Sequence, residues 1–186
     1  MVDAYHFAPM SEHPLPKTIE PFKLVTTRAL VAGAVSLNSL SRLQAELANT
    51  AAKANSAEVE LAFQRDPQGY ASATGFIRAR GGLVCQRCLA VVSVPLDVPV
   101  NWAFVTDEDA SCDVPKVYDA IILDEEAVSL FDLIEDELLL ALPPVPMHED
   151  GECKVPGYSS RNEKNMEQRE GKKNPFEVLA EFKKKS

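Results

Sequence analysis

Long apolar runs are missing from this 186-residue chain. No stretch approaches the roughly 18 consecutive apolar residues that a membrane span needs, so no membrane partner is expected. A Gly-rich phosphate loop and a nucleophile elbow are missing too. Histidine is scarce, and two of the three, His6 and His13, fall in a Pro-punctuated start. Hydrolytic and nucleotide chemistry have nothing to stand on, so neither enzymatic activity nor a small-molecule substrate is expected. The start, with Pro9, Pro14, Pro16 and Pro21, shows no cationic segment followed by an apolar run, and no secretory leader is expected. Four cysteines in such a chain read as thiols or metal ligands in a reducing, cytoplasmic compartment, not as a disulfide framework.

Positive charge is also in short supply. The formal net charge is −9, the wrong sign for a protein that wraps phosphate backbones over a broad surface. Residues 161–186 carry eight Lys/Arg against five Asp/Glu, net +3, which leaves −12 on the preceding 160. Residues 103–153 hold fifteen Asp/Glu opposed only by Lys116. That stretch is either a solvated face or a docking surface for a basic protein.

Periodicity predicts an α+β fold: an antiparallel sheet covered by two main helices, with a flexible C-terminal arm ending in a short helix. Residues 1–21 read as an irregular lead-in, with at most a short strand near 22–26. Asn38 or Ser39 can cap a first helix, whose face would be Leu40, Leu43, Leu47, Ala51 and Ala54. Alternation predicts a strand over 58–63, a turn at Asp66-Pro67-Gln68-Gly69, and a second strand over 73–80 that ends at Gly81-Gly82. A third strand is marked by Val92, Val94, Leu96, Val98, Val100, Trp102 and Phe104. Pro95 and Pro99 on its other face suit an edge or bulged strand. After an acidic loop and a short strand at 120–123, Ser129 and Asp132 mark a helix start. Its buried face would be Leu130, Leu133, Ile134, Leu138 and Ala141, with Asp132, Glu135, Asp136 and Glu137 mostly outside, and Pro143-Pro144 stops it. The expected organisation is 1–21 lead-in, 22–153 α+β domain, 154–173 polar linker and 174–186 short helix with a basic end. In that last piece Asn174 caps, Pro175 takes the first helical position, and Phe176, Leu179 and Phe182 form an apolar stripe before Lys183 to Lys185.

Chemistry concentrates in Cys85-Gln86-Arg87-Cys88, since two thiolates two residues apart can share one metal ion. His148 and Cys153, four residues apart around Gly151, can supply the second half of a closed Cys3His zinc site. The competing readings are four ordinary residues at a strand turn and a loop, and a thiol redox or zinc enzyme centred on Cys85 and Cys88. The flanking strands argue against the redox form, which wants its first Cys at a helix N-terminus. Cys112 reads as an isolated thiol. Arg78, Arg80 and Arg87 make a modest basic stripe and are the candidate RNA contacts of an alternative reading. A partner surface would comprise Asp124, Glu125, Glu126, Glu135, Asp136 and Glu137, with Pro175, Phe176 and Leu179 of the tail docking separately.

Cys85-Gln86-Arg87-Cys88-Leu89, then Leu130 to Pro143 ending Glu135-Asp136-Glu137-Leu138-Leu139-Leu140-Ala141-Leu142-Pro143, then His148 and Cys153, then Asn174-Pro175-Phe176-Glu177-Val178-Leu179-Ala180, resemble the YceD family. The resemblance covers Cys85 to the C-terminus, whereas residues 1–80 match only in the order of strands and helices. It implies a role in the synthesis, processing or stability of 23S rRNA, in a gene neighbourhood shared with a large-subunit ribosomal protein. The partners it implies are a large-subunit ribosomal protein or pre-ribosomal particle, with rRNA reached directly or indirectly. Some relatives carry additional cysteines in the segment corresponding to His148 to Cys153, which supports a metal reading for the family. Here that segment keeps one His and one Cys.

Overall fold

Three alternating stretches build the centre of the molecule, because period two places every second side chain on one face. In the computed structural model, which describes residues 14–48, 56–149 and 151–153, they are β3 (Ser56–Arg65), β4 (Ala71–Val84) and β5 (Val91–Val105). Val59, Leu61 and Phe63, then Ala73 and Ile77, then Leu96, Val98, Val100, Trp102 and Phe104 all turn into one core. Two further strands, β2 (Leu30–Ser36) and β6 (Asp119–Ile122), complete a sheet of order β2-β3-β4-β5-β6. The pairing is antiparallel except at β5–β6, which is parallel over Trp102–Val105 and Asp119–Ile122. The expected antiparallel sheet is present, with one parallel pair at its edge. The chain returns past a short helix, α3 (Glu108–Cys112), in the stretch read from sequence as a loop. A parallel neighbour needs such a crossover.

β1 (Thr18–Ile19) pairs with β7 (Val128–Ser129) and ties the N-terminal segment to the start of α4 (Leu130–Leu140). Between β1 and β2, residues 21–27 form a helix, α1 (Pro21–Thr27), where a short strand was expected. Pro21 is at its first turn, a position where the missing N–H costs nothing. The hydroxyls of Thr26 and Thr27 donate to carbonyls one turn back, which reconciles β-branched residues with a helix. The helix near residue 40 is α2 (Ser41–Glu46), preceded by a single 3-10 turn at Leu37–Ser39. Ala51 and Ala54 lie outside the described residues. Leu37, Leu40 and Leu43 are buried, as are Leu130, Ile134 and Leu138 of α4, so these helices close the core face of the sheet.

Gly81-Gly82 does not end β4. The strand continues to Val84, and at Gly81 the Leu47 side chain packs close to the backbone, its Cδ2 2.8 Å from where a Cβ would sit. β4 and β5 therefore make one long hairpin, paired from Ala71–Phe104 to Val84–Val91 and about 45 Å in length at ~3.3 Å per residue. β3 covers β4 only up to Arg78, and β6 covers β5 only from Trp102 onward. The outer half of the hairpin is thus a two-stranded ribbon. Pro95 and Pro99 fall where β5 is an edge, consistent with their inability to donate to a further strand. The segment after α2 supports the ribbon part of the way, with Leu47 against Gly81 and Ala48 N–H donating to the Gly82 carbonyl at 2.8 Å, but a two-stranded ribbon is at best marginally stable in water and the tip beyond needs support of its own.

A candidate metal centre at the hairpin tip

The tip is the six-residue loop from Cys85 to Ala90. Cys85 N–H donates to the Ala90 carbonyl and Leu89 N–H to the Cys85 carbonyl, both at 2.9 Å, which folds the loop into a tight knuckle. The knuckle closes through Leu89 at φ +61°, the left-handed region that costs a bulky L residue about 1–2 kcal/mol. The other half arrives from α4. The helix caps at Ala141, Pro143-Pro144 forbids its continuation, and residues 145–149 run along the knuckle. There the Pro146 carbonyl accepts from Gln86 N–H at 2.9 Å, and Arg87 Nη2 donates to the carbonyls of His148 and Glu149 at 3.1 and 3.4 Å. Gly151, at φ +95°, turns the chain so that Cys153 comes back to the cluster.

The ligand atoms of Cys85, Cys88, His148 and Cys153 all lie within 4.8 Å of one another. Cys85 Sγ is 3.8 Å from Cys153 Sγ, and Cys88 Sγ is 3.4 Å from His148 Nδ1. Tetrahedral zinc with Zn–S near 2.3 Å and Zn–N near 2.0 Å separates two sulfurs by about 3.8 Å and a sulfur from a nitrogen by about 3.5 Å. The spacing therefore fits a metal, and 3.8 Å is far too long for a disulfide, whose S–S length is about 2.05 Å. His148 Nε2 lies 3.2 Å from the Val91 carbonyl. An Nε2–H donating to that carbonyl leaves Nδ1 unprotonated toward the cluster, the orienting arrangement that metal-binding histidines use.

Electrostatics favours a thiolate at Cys85 and a thiol at Cys153. Burial pushes the Cys85 thiol up, but backbone N–H groups of Cys88, Arg87 and His148, with the His148 ring, outweigh it and bring the thiol down to about 5. Cys153 is pushed up, by burial first and then by the neighbouring Cys88 thiol. Three thiolates, an imidazole and a divalent ion sum to −1, which the adjacent Arg87 guanidinium offsets. With four protein donors the site is closed. A metal held by all four would have no open position, the arrangement of structural zinc sites.

Other expected site residues are placed differently. Glu135 is buried, not outside. Its Oε1 accepts from the N–H groups of Arg42 and Leu43 at 2.7 and 3.0 Å, and its Oε2 pairs with Arg42 Nε at 2.9 Å. A carboxylate from α4 thus caps α2 in place of Asn38 or Ser39. Ser36 and Ser39 bond each other's neighbourhood instead: Ser36 Oγ accepts from Asn38 N–H, and Ser39 Oγ donates to the Ser36 carbonyl. Glu137 also turns inward and accepts from Trp102 Nε1 at 2.7 Å, while Asp136 is exposed but paired with Arg42 Nη1. These are anchoring groups, which removes Glu135 and Glu137 from any docking face. The inward turn follows from geometry, since Glu135 borders the Leu130–Ile134–Leu138 stripe. Asp124, Glu125 and Glu126 are exposed in the connection between β6 and β7. Arg78 lies over the Phe76 ring at 3.9 Å and pairs with Asp97, Arg80 is exposed, and Arg87 is held at the knuckle, so the three do not gather into one basic site. Cys112 is exposed at the end of α3. His6, His13, Pro175, Phe176 and Leu179 lie outside the described residues, as do 154–173 and the expected C-terminal helix. The alternation and the CxxC reveal neither the Val91 carbonyl behind His148 nor the clamp made by Arg87. Leu89, directly after the CxxC, gave no signal of the positive φ found there, since that conformation favours glycine.

Fold and site together define a small α+β protein in which a Cys3His cluster able to hold a metal ion lies between the hairpin tip and the segment after the main helix. A family model described as "Large ribosomal RNA subunit accumulation protein YceD" matches residues 73–183. A protein of Haemophilus influenzae named "Large ribosomal RNA subunit accumulation protein YceD" is 33% identical over 177 residues, covering 95% of this chain and all of the relative. The chain belongs to the YceD family. No solved structure matches it.

Proposed function

We propose that this protein is a non-enzymatic, cytoplasmic ribosome biogenesis factor that supports accumulation of 23S rRNA by engaging a basic large-subunit ribosomal protein or assembly intermediate. The family's description supports the role in large-subunit rRNA accumulation. The observation that carries the mechanism is the charge distribution: −12 over the first 160 residues, with Asp124, Glu125 and Glu126 exposed together and free of the internal duties of Glu135 and Glu137. Such a surface attracts cationic protein and repels phosphate. Direct rRNA binding has weaker support, because Arg78 is matched by Asp97 and Arg87 by backbone carbonyls. No helix among the described residues is long and apolar enough to cross a membrane.

Within this reading Cys85, Cys88, His148 and Cys153 hold zinc, which cross-links the ribbon tip to the segment after α4 and leaves the reaction chemistry to others. The functional test is charge reversal at Asp124, Glu125 and Glu126 to Lys. These side chains are exposed, so each substitution should change stability by within about 0.5 kcal/mol. The expected result is a fall in 23S relative to 16S rRNA in cells carrying the triple variant as sole copy, with protein levels maintained. Unchanged 23S rRNA would contradict the acidic-surface mechanism.

A further inference from the structure

Five of the nine large hydrophobic side chains exposed among the described residues sit at the hairpin tip: Val84, Leu89, Val91, Val145 and Met147. Val84 and Val91 face each other across the ribbon, and Leu89 crowns the knuckle at 75% exposure. Val145 and Met147 flank Pro146, whose carbonyl is bonded to Gln86. The apolar surface is therefore assembled from both arms of the Cys3His cluster. Leu89 is the informative member. Its φ of +61° is cheapest for glycine, yet the chain places a branched apolar side chain there and leaves it in water. A strained and exposed leucine is expected where the side chain has a contact to make.

We propose that this tip surface is the seat of the chain's own C-terminal segment, Pro175 to Phe182, whose sequence presents Phe176, Leu179 and Phe182 at helical spacing. Three observations select this occupant. The chain leaves the described structure at Cys153, itself part of the tip, so residue 174 begins only twenty residues from its seat. A polar spacer of that length holds two tethered groups at an effective concentration in the millimolar range, so even a weak apolar contact is populated within one chain. Charge also matches, since Glu149 and Glu152 are exposed beside the patch and Lys183 to Lys185 follow the stripe. The proposal is independent of the partner that the acidic surface meets. It is tested without ribosomal material.

In the full-length protein, Phe176 is replaced by benzoylphenylalanine, and the purified chain is mixed with an equal amount of isotopically heavy chain and irradiated. The expected products are cross-links within one chain to residues 83–91 or 143–149. Combining Leu89→Gly with Met147→Ser should lower their yield severalfold while Trp102 fluorescence stays native, because glycine suits the backbone at position 89. Cross-links joining light to heavy chains, cross-links elsewhere or none at all, or an undiminished yield in the double variant would each overturn the proposal.

Discussion

Glu135 concentrates more of the fold's polar logic than any other described residue. Taking a carboxylate out of water costs several kcal/mol unless it is satisfied, and here two backbone N–H groups and a guanidinium satisfy it. Burial pushes the carboxyl up, but the Leu43 N–H, the Arg42 side chain and the Arg42 N–H outweigh it, so the pKa lies below the ordinary glutamate value. A depressed carboxylate contributes stability that is complete above the unfolded pKa, about 4.3, and is lost as pH falls through the folded value. Glu135→Gln should therefore lower stability by about 2 kcal/mol at pH 7. The gap from wild type should close as pH drops below about 4, as read by urea unfolding at a series of pH values. A gap that widens with acid would show that the group is not ionised in the fold. None of this was legible in the acidic run around Glu135, because composition records charge and not which of three adjacent acids borders the apolar stripe.

Among the elements, the long β4–β5 hairpin was half legible. Seven alternating apolar residues announced β5, whereas Gly81-Gly82 looked like a break although Gly81 serves close packing against Leu47. Gly75 is a second such contact: a Cβ there would lie 1.8 Å from the Glu60 carbonyl oxygen. Gly75→Ala must push β3 from β4, with an expected cost of about 3 kcal/mol in chemical denaturation. A cost no larger than that of a surface substitution would mean the two strands are not this close. The parallel pairing of β6 was not legible, because alternation fixes which face a residue takes and not the direction of its neighbour. α1 was misread because Val25, Thr26 and Thr27 are strand formers, and Pro21 at the helix start was the better signal.

The cluster at the tip was legible as a ligand set, because the CxxC and the His–Cys pair each have metal spacing, though only the fold brings them together. Its energetic role follows from topology. Zinc held by all four ligands would close a loop of about sixty residues between Cys88 and His148, worth about 4 kcal/mol on the chain-entropy scale. Chelation of purified protein should thus lower Tm by about 10 °C. Cys85→Ser with Cys88→Ser should abolish zinc in elemental analysis, against one ion per chain for the wild type. A wild type without metal, or a Tm indifferent to chelation, would remove zinc from the account.

At the scale of the whole molecule, two poles stand apart in sequence: an acidic body and a net-positive end. Glu135 and Glu137 are bonded internally, so among the acids of 124–137 the exposed group is Asp124, Glu125 and Glu126 with Asp132 and Asp136. What a surface of this sign retains from the cell follows from electrostatics. Affinity purification of the tagged protein from growing cells, at low and high salt and with nuclease treatment, tests that claim most directly. A basic large-subunit ribosomal protein should stay bound after the RNA is digested and be released as salt rises. Recovery of precursor 23S rRNA with no retained protein would contradict it.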